Sequence, residues 1–185
     1  MSDIVIISGT TSYESRTTTI LNYLSQKVKQ DGLAVREISV LEIDPAVLIH
    51  GKYEDSSVVE IIDSLKKAKG IIIASPVYKA SYTGALKALL DLLPQDILKD
   101  KPIYPLMIGG SQAHLLAIDY ALKPLLAALQ AQIILRGVYL TDSDVDKLNN
   151  VNPIKDVKLE ERVNEQLGEF LLLTRNFSVI HYSKS

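Results

Sequence analysis

The stretch from Ser8 to Thr19 holds eight serines and threonines, with Gly9, Glu14 and Arg16 among them, directly after the apolar run Ile4-Val5-Ile6-Ile7. A buried strand that ends in a polar turn and feeds a helix leaves backbone N–H groups free, and hydroxyls beside them donate without a full counter-charge. Such a turn suits a phosphate, with Arg16 as one cationic donor. It lacks G-x-x-x-x-G-K-[ST], which argues against nucleoside triphosphate hydrolysis. It also lacks G-x-G-x-x-G, which argues against tight dinucleotide binding in the Rossmann manner. A terminal monophosphate fits better, and the plain alternative is a hydroxyl-rich helix cap with no ligand.

A second loop, Ser75 to Lys87, carries Pro76, Tyr78, Tyr82 and Gly84. Proline stiffens it, tyrosines offer amphipathic aromatic surface, and the glycine permits close backbone approach. This is a wall for a flat heterocycle, or else a tyrosine-bearing surface loop. Gly109, Gly110 and Ser111 form a third polar turn.

Several other constellations fail on spacing. Gly110-Ser111-Gln112 does not complete a nucleophile elbow, because Ala113 stands where the last glycine belongs. His114 reads as structural or as lying behind a ligand contact, while His50 and His181 stand alone and read as surface residues. No H-E-x-x-H or comparable metal spacing occurs. Asp142, Asp144 and Asp146 lack the glycine and glutamate of a calcium loop and read as solvated.

The elements that must position these turns alternate. Strands are expected at 4–7, 35–40, 71–74, 103–108 and 133–140. Helices are expected around Ile20 to Val28, from a capping box at Ser57 and Glu60 to a stop at Gly70, around Leu86 to Leu93, from Gln112 to Gln130, and from Lys158 to Thr174. Five strands alternating with five helices imply a parallel sheet covered on both faces. The expected fold is flavodoxin-like, a three-layer α/β sandwich with strand order 2-1-3-4-5, whose ligands sit outside the carboxyl ends of the strands. Pro105 is a warning within strand four. Pro124, inside the helix 112–130, cannot donate to the carbonyl of Tyr120, so a kink or π-bulge is expected there. That helix is apolar nearly all round and is expected at a subunit interface, the alternative being a central helix of one domain.

The chain has 185 residues, 22 acidic against 20 basic side chains, no cysteine and three histidines. That length implies one domain over 1–185 with a C-terminal tail at 176–185. The near-neutral charge gives no pull toward nucleic acid or membrane. The lack of cysteine excludes disulfides and thiolate chemistry. Apolar runs are too short to span a bilayer, and the chain reads as cytoplasmic.

Pro76-Val-Tyr-Lys-Ala-Ser-Tyr-Thr-Gly-Ala-Leu-Lys87, followed by Leu89-Leu-Asp-Leu-Leu-Pro94, resembles the signature of NADPH-dependent FMN reductases. Ala113-His-Leu-Leu-Ala-Ile-Asp-Tyr-Ala-Leu-Lys-Pro124 is similar to the fourth helix of the branch that supplies reduced flavin to alkanesulfonate monooxygenases. The resemblance covers roughly residues 4–140. It implies an FMN phosphate on Ser8, Thr10, Ser15, Arg16 and Thr17, a ring against Pro76, Val77 and Tyr78, and contacts from Gly109, Gly110 and Ser111. One departure is Ser12, where the family commonly has arginine.

The resemblance further implies hydride transfer from NADPH, with NADH as the alternative donor, to FMN, and delivery of reduced flavin to a flavin-dependent monooxygenase in sulfonate sulfur assimilation. No catalytic side chain and no metal is then required. A quinone or azo reductase and a flavodoxin-type electron carrier are the rival readings. The branch carries an inserted tyrosine in a π-helix at its oligomer interface, matching Tyr120, which implies a homotetramer and a role for Tyr120 in flavin exchange.

Overall fold

The computed structural model describes residues 2–182, with side chains described for 2–176. Strand β1 (Ile4–Ser8) alternates its apolar residues between two cores. Ile4 and Ile6 pack with Ile20, Leu24 and Val28 of α1 (Arg16–Gln30) and with Val163 and Phe170 of α6 (Val157–Tyr182). Val5 and Ile7 face the other way, toward Val58, Ile61 and Leu65 of α3 (Ser56–Lys67) and Leu86 and Leu89 of α4 (Gly84–Asp91). Burial on both faces is why β1, β3 (Gly70–Pro76) and β4 (Pro102–Gly109) read as continuous apolar runs.

With β2 (Val35–Ser39) and β5 (Ile133–Ile134), the strands take the order β2-β1-β3-β4-β5, all parallel, and β6 (Val138–Thr141) also pairs with β4. This is the expected flavodoxin-like sheet, with its last strand in two pieces. Ser8 lies beside Ser39 and Ala74, and Gly109 beside Thr141, so the polar turns all leave one edge.

The broken last strand has a local cause. Pro102 and Ile103 pair with Ile133 and Ile134, and Leu106 pairs with Val138, so residues 135–137 oppose only Tyr104 and Pro105. Pro105 has no N–H for the ladder, and the extra residue bulges there. Gly137 takes φ +79°, and a Cβ on it would lie 2.5 Å from the Pro105 carbonyl oxygen.

Helix α3 also departs from expectation. Asp55, not Ser57, caps it, its Oδ1 accepting from the Ser57 N–H at 3.0 Å, and the helix ends at Lys67. Gly70 instead opens β3 under Phe170 and Thr174, where a Cβ would meet Thr174 Oγ1 at 2.5 Å. A short helix α2 (Pro45–Ile49), capped by Asp44, occupies what reads as loop. Helix α6 continues through Tyr182, so residues 176–182 of the expected tail are helical, and 183–185 lie outside the described residues.

The expected helix 112–130 is three pieces: a 3₁₀ turn Gln112–His114, a π-helical turn Ile118–Leu122, and α5 (Lys123–Ala128). The Lys123 N–H donates to the Ile118 carbonyl, five residues back, immediately before the proline that cannot donate at all. The expected π-bulge is therefore present, and Tyr120 sits in it. Ile118, Leu122 and Leu126 are buried, whereas Leu115, Leu116 and Tyr120 are 47%, 53% and 80% exposed. The expectation of a helix buried on several sides does not hold within one chain.

Candidate functional site

The turn after β1 is built around α1. Ser15 caps that helix, its Oγ accepting from the Thr18 N–H at 3.1 Å, which leaves the first-turn N–H groups of Arg16 and Thr17 without intrahelical acceptors. Thr10 Oγ1 accepts from the Ser12 N–H at 3.3 Å and folds the turn back on itself. Two buried hydroxyls fix the second loop against the first. Ser75 Oγ accepts from the Thr83 N–H at 3.1 Å, and Thr83 Oγ1 donates to the Gly9 carbonyl at 2.6 Å. Gly9 is glycine because a Cβ would stand 2.9 Å from the Leu86 side chain.

Beyond Pro76, Tyr78 and Ser81 exchange both backbone hydrogen bonds, at 2.9 and 3.1 Å, around Lys79 and Ala80 with φ of +51° and +63°. This tight turn presents the half-exposed Tyr78 ring at its base. The Val77 N–H donates to the Ile108 carbonyl at 2.7 Å and ties the wall to β4. On the far side, Tyr139 of β6 donates from its hydroxyl to the Ser111 carbonyl at 2.6 Å. Burial, and then the neighbouring Asp142 carboxylate, push the Tyr139 phenol upward, which keeps it a donor. A Cβ on Gly109 would lie 2.3 Å from that hydroxyl.

These three loops enclose a cleft of about 320 Å³ lined by nine of the expected residues: Thr10, Ser15, Arg16, Thr17, Pro76, Val77, Tyr78, Gly109 and Gly110. Three expected residues are not in its lining. Ser8 faces a different cavity on the α1 side of the sheet, because its side chain follows Ile4 and Ile6. Ser111 turns its Oγ to the Ala113 N–H and caps the 3₁₀ turn. Tyr120 lies on the exposed π-helical turn.

Four unexpected residues complete the lining: Glu14, Ile108, Asp142 and Lys147. Asp142 is no merely solvated loop residue, since its Oδ2 approaches Arg16 Nη1 at 3.8 Å. Asp144 instead accepts from the Thr141 N–H and hydroxyl, both at 2.7 Å, and closes a capping box. Because β6 ends beside β4, the loop that follows it borders the same edge. The one buried side-chain nitrogen or oxygen left without a hydrogen-bond partner among the described residues is Arg16 Nε. A buried orphan donor beside free helix N–H groups fits an anionic group, and the flat wall opposite fits an aromatic ring. Among the described residues no cluster of His, Cys, Asp or Glu could hold a metal ion.

The sequence profile described as NADPH-dependent FMN reductase matches residues 2–146. The chain belongs to that family. An Escherichia coli protein named FMN reductase (NADPH) is 42% identical over 167 residues, covering 90% of this chain and 87% of its own. A Pseudomonas putida relative named NADH-dependent FMN reductase SfnF is 31% identical, covering 90% and 91%. Among solved structures, the apo form of NADH:FMN oxidoreductase (EMOB) superposes with a TM-score of 0.83 at 34% identity, covering 93% of this chain and 89% of that one. Family membership makes this protein an oxidoreductase that works with FMN and a reduced nicotinamide nucleotide, and it explains why a cleft without a catalytic dyad suffices.

Proposed function

We propose that this protein is an NAD(P)H:FMN oxidoreductase of the EC 1.5.1 type, a single-domain cytoplasmic enzyme that hands reduced flavin to a flavin-dependent monooxygenase in sulfonate sulfur assimilation. The observation that carries the reading is the unpartnered buried Arg16 Nε at the start of α1, across one cleft from the Pro76–Tyr78 wall. Bound in this cleft, FMN would supply the acceptor for a hydride from the reduced nicotinamide.

The protein's part is to bind, orient and exclude. Arg16, Ser15 and the first-turn N–H groups hold the phosphate, with Thr10 and Thr17 beside it. Pro76, Val77 and Tyr78 bracket one side of the ring, and Gly109 and Gly110 leave room for nicotinamide. Glu14 and Asp142 line this cleft together with Arg16 and Lys147, so two acids face two cations around the phosphate position. The exposed Leu115, Leu116 and Tyr120 form an apolar face suited to subunit contact in a homotetramer. Among the described residues no helix is long and apolar enough to cross a membrane.

The test is oxidation of NADPH and of NADH with free FMN, FAD, riboflavin and a quinone in parallel. Rapid FMN-dependent oxidation with release of reduced flavin is expected, and no flavin-dependent oxidation would sink the proposal. A Bacillus relative named NADPH azoreductase, 26% identical over 89% of this chain, keeps a second reading in view. Turnover with quinone or azo dye alone would select it.

A further inference from the structure

A second cavity, of about 150 Å³, lies on the other side of the phosphate-facing turn, between α1 and the carboxyl ends of β1 and β2. Thr10 lines both cavities, so the turn proposed to carry the phosphate is their common wall. Its floor is apolar, from Leu21 and Ile38, and three of its polar side chains, those of Ser8, Asn22 and Glu42, have no hydrogen-bond partner among the described residues. Tyr13 is 69% exposed, yet its hydroxyl donates to the Leu41 carbonyl at 3.3 Å, which moors an aromatic face beside the opening. An apolar recess with a few convergent polar groups and one aromatic side is the ordinary form of a site for a small heterocycle.

The charge narrows the ligand. Glu42 is a free carboxylate, and Glu37, the other acid in the lining, is already engaged by Ser25 at 2.6 Å and Lys29 at 3.2 Å. A free carboxylate repels a further phosphate and accepts from neighbouring hydroxyls. An acid near the end of the second strand holds a ribose diol in other doubly wound sheets. Asn22 offers both a donor and an acceptor, as the edge of a purine requires.

We propose that this cavity takes the adenosine of a dinucleotide, with Glu42 on the ribose diol, Asn22 on the base edge and Tyr13 against the ring. The proposal rests on the flavin reading above for the phosphate that anchors the ligand. FAD and a nicotinamide dinucleotide both carry this adenosine, and a 2′-phosphate on it would meet Glu42. In either case the contacts of Glu42, Asn22 and Tyr13 lie outside the lining of the hydride-transfer cleft.

The test is equilibrium titration of the full chain with FMN, FAD, NADH and NADPH, following flavin fluorescence for the first two and calorimetry for the others. AMP is titrated separately. Glu42→Ala and Asn22→Leu are compared with wild type; Glu42 is exposed, so its variant is expected to fold if the Asn22 variant does not. The expected result is FAD affinity reduced about tenfold in each variant with FMN affinity within about twofold of wild type, as loss of a hydrogen bond to a charged group implies. If instead NADH affinity falls while FAD affinity holds, the adenosine site stands and its source is the nicotinamide nucleotide. Unchanged affinities for FAD, NADH and AMP in both variants would overturn it. Wild-type protein that binds AMP but no FMN would instead sink the flavin reading and leave the adenosine site standing.

Discussion

Arg16 carries the unused buried donor of the cleft, and a comparison of two flavins isolates its proposed role. Its Nε is buried without a partner and its Nη1 is loosely paired with Asp142, so a phosphate gains a charge-assisted donor that the fold does not use elsewhere. Arg16→Ala should weaken FMN by about 10- to 100-fold in a fluorescence titration. Riboflavin, which has no phosphate, should bind the variant and wild type alike. Equal losses for both flavins would move Arg16 out of the phosphate site. Gly109 tests the opposite wall. A Cβ there would come within 2.3 Å of the Tyr139 hydroxyl, so Gly109→Ala must push Tyr139 off the Ser111 carbonyl, at a cost of about 1–3 kcal/mol by chemical denaturation. Adding Tyr139→Phe removes the clashing oxygen and should restore part of that loss. If the second substitution deepens the loss instead, the clash is not the cause.

At the scale of elements, the alternation of apolar runs and polar turns was enough to order the sheet, because strands buried on both faces are apolar over most of their length. What could not be read was set by contacts distant in sequence. Ser8 belongs to the polar turn by composition, yet the pleat of β1 turns it to the α1 side; Asp142 reached the cleft only because β6 pairs with β4. The helix 112–130 was legible at Pro124 and nowhere else. A missing N–H is a local fact, whereas the 3₁₀ turn at 112–114 depends on Ser111 and Tyr139. Deleting Tyr120 should return the turn Ile118–Leu122 to α-helical spacing by removing the extra residue. It also removes the most exposed large side chain of the apolar face Leu115, Leu116 and Tyr120. The subunit contact proposed for this face should weaken about tenfold in sedimentation velocity, as loss of one aromatic covered between subunits implies, together with altered flavin retention. Wild-type assembly, flavin affinity and turnover in the deletion variant would remove Tyr120 from both roles.

For the molecule as a whole, the α1–α6 layer hangs on two phenols. Tyr23 of α1 donates to Glu160 Oε1 at 2.8 Å and to Asn164 Oδ1 at 3.2 Å, and Tyr104 of β4 donates to the Val163 carbonyl at 3.1 Å, so α6 is pinned to a helix and to the sheet at neighbouring turns. Burial, then the hydrogen bond to Glu160, push Tyr23 from 10.0 up to about 12, and burial raises Tyr104 as well. Both folded values exceed the unfolded one, so the fold prefers the protonated phenol. The stability this contributes is fully present below pH 10 and is lost as pH rises toward 12 and beyond, where the unfolded chain releases protons that the fold retains. Lysines also titrate in this range, so the informative quantity is the difference between wild type and Tyr23→Phe. At pH 7 the variant should be less stable by about 1 kcal/mol, the net worth of a buried hydrogen bond. Above pH 10 that gap should close and then reverse, because phenylalanine has no proton to lose. Urea denaturation at intervals from pH 7 to 12 follows it directly. A gap that stays constant through pH 12 would show that Tyr23 ionises as readily in the fold as in the unfolded chain.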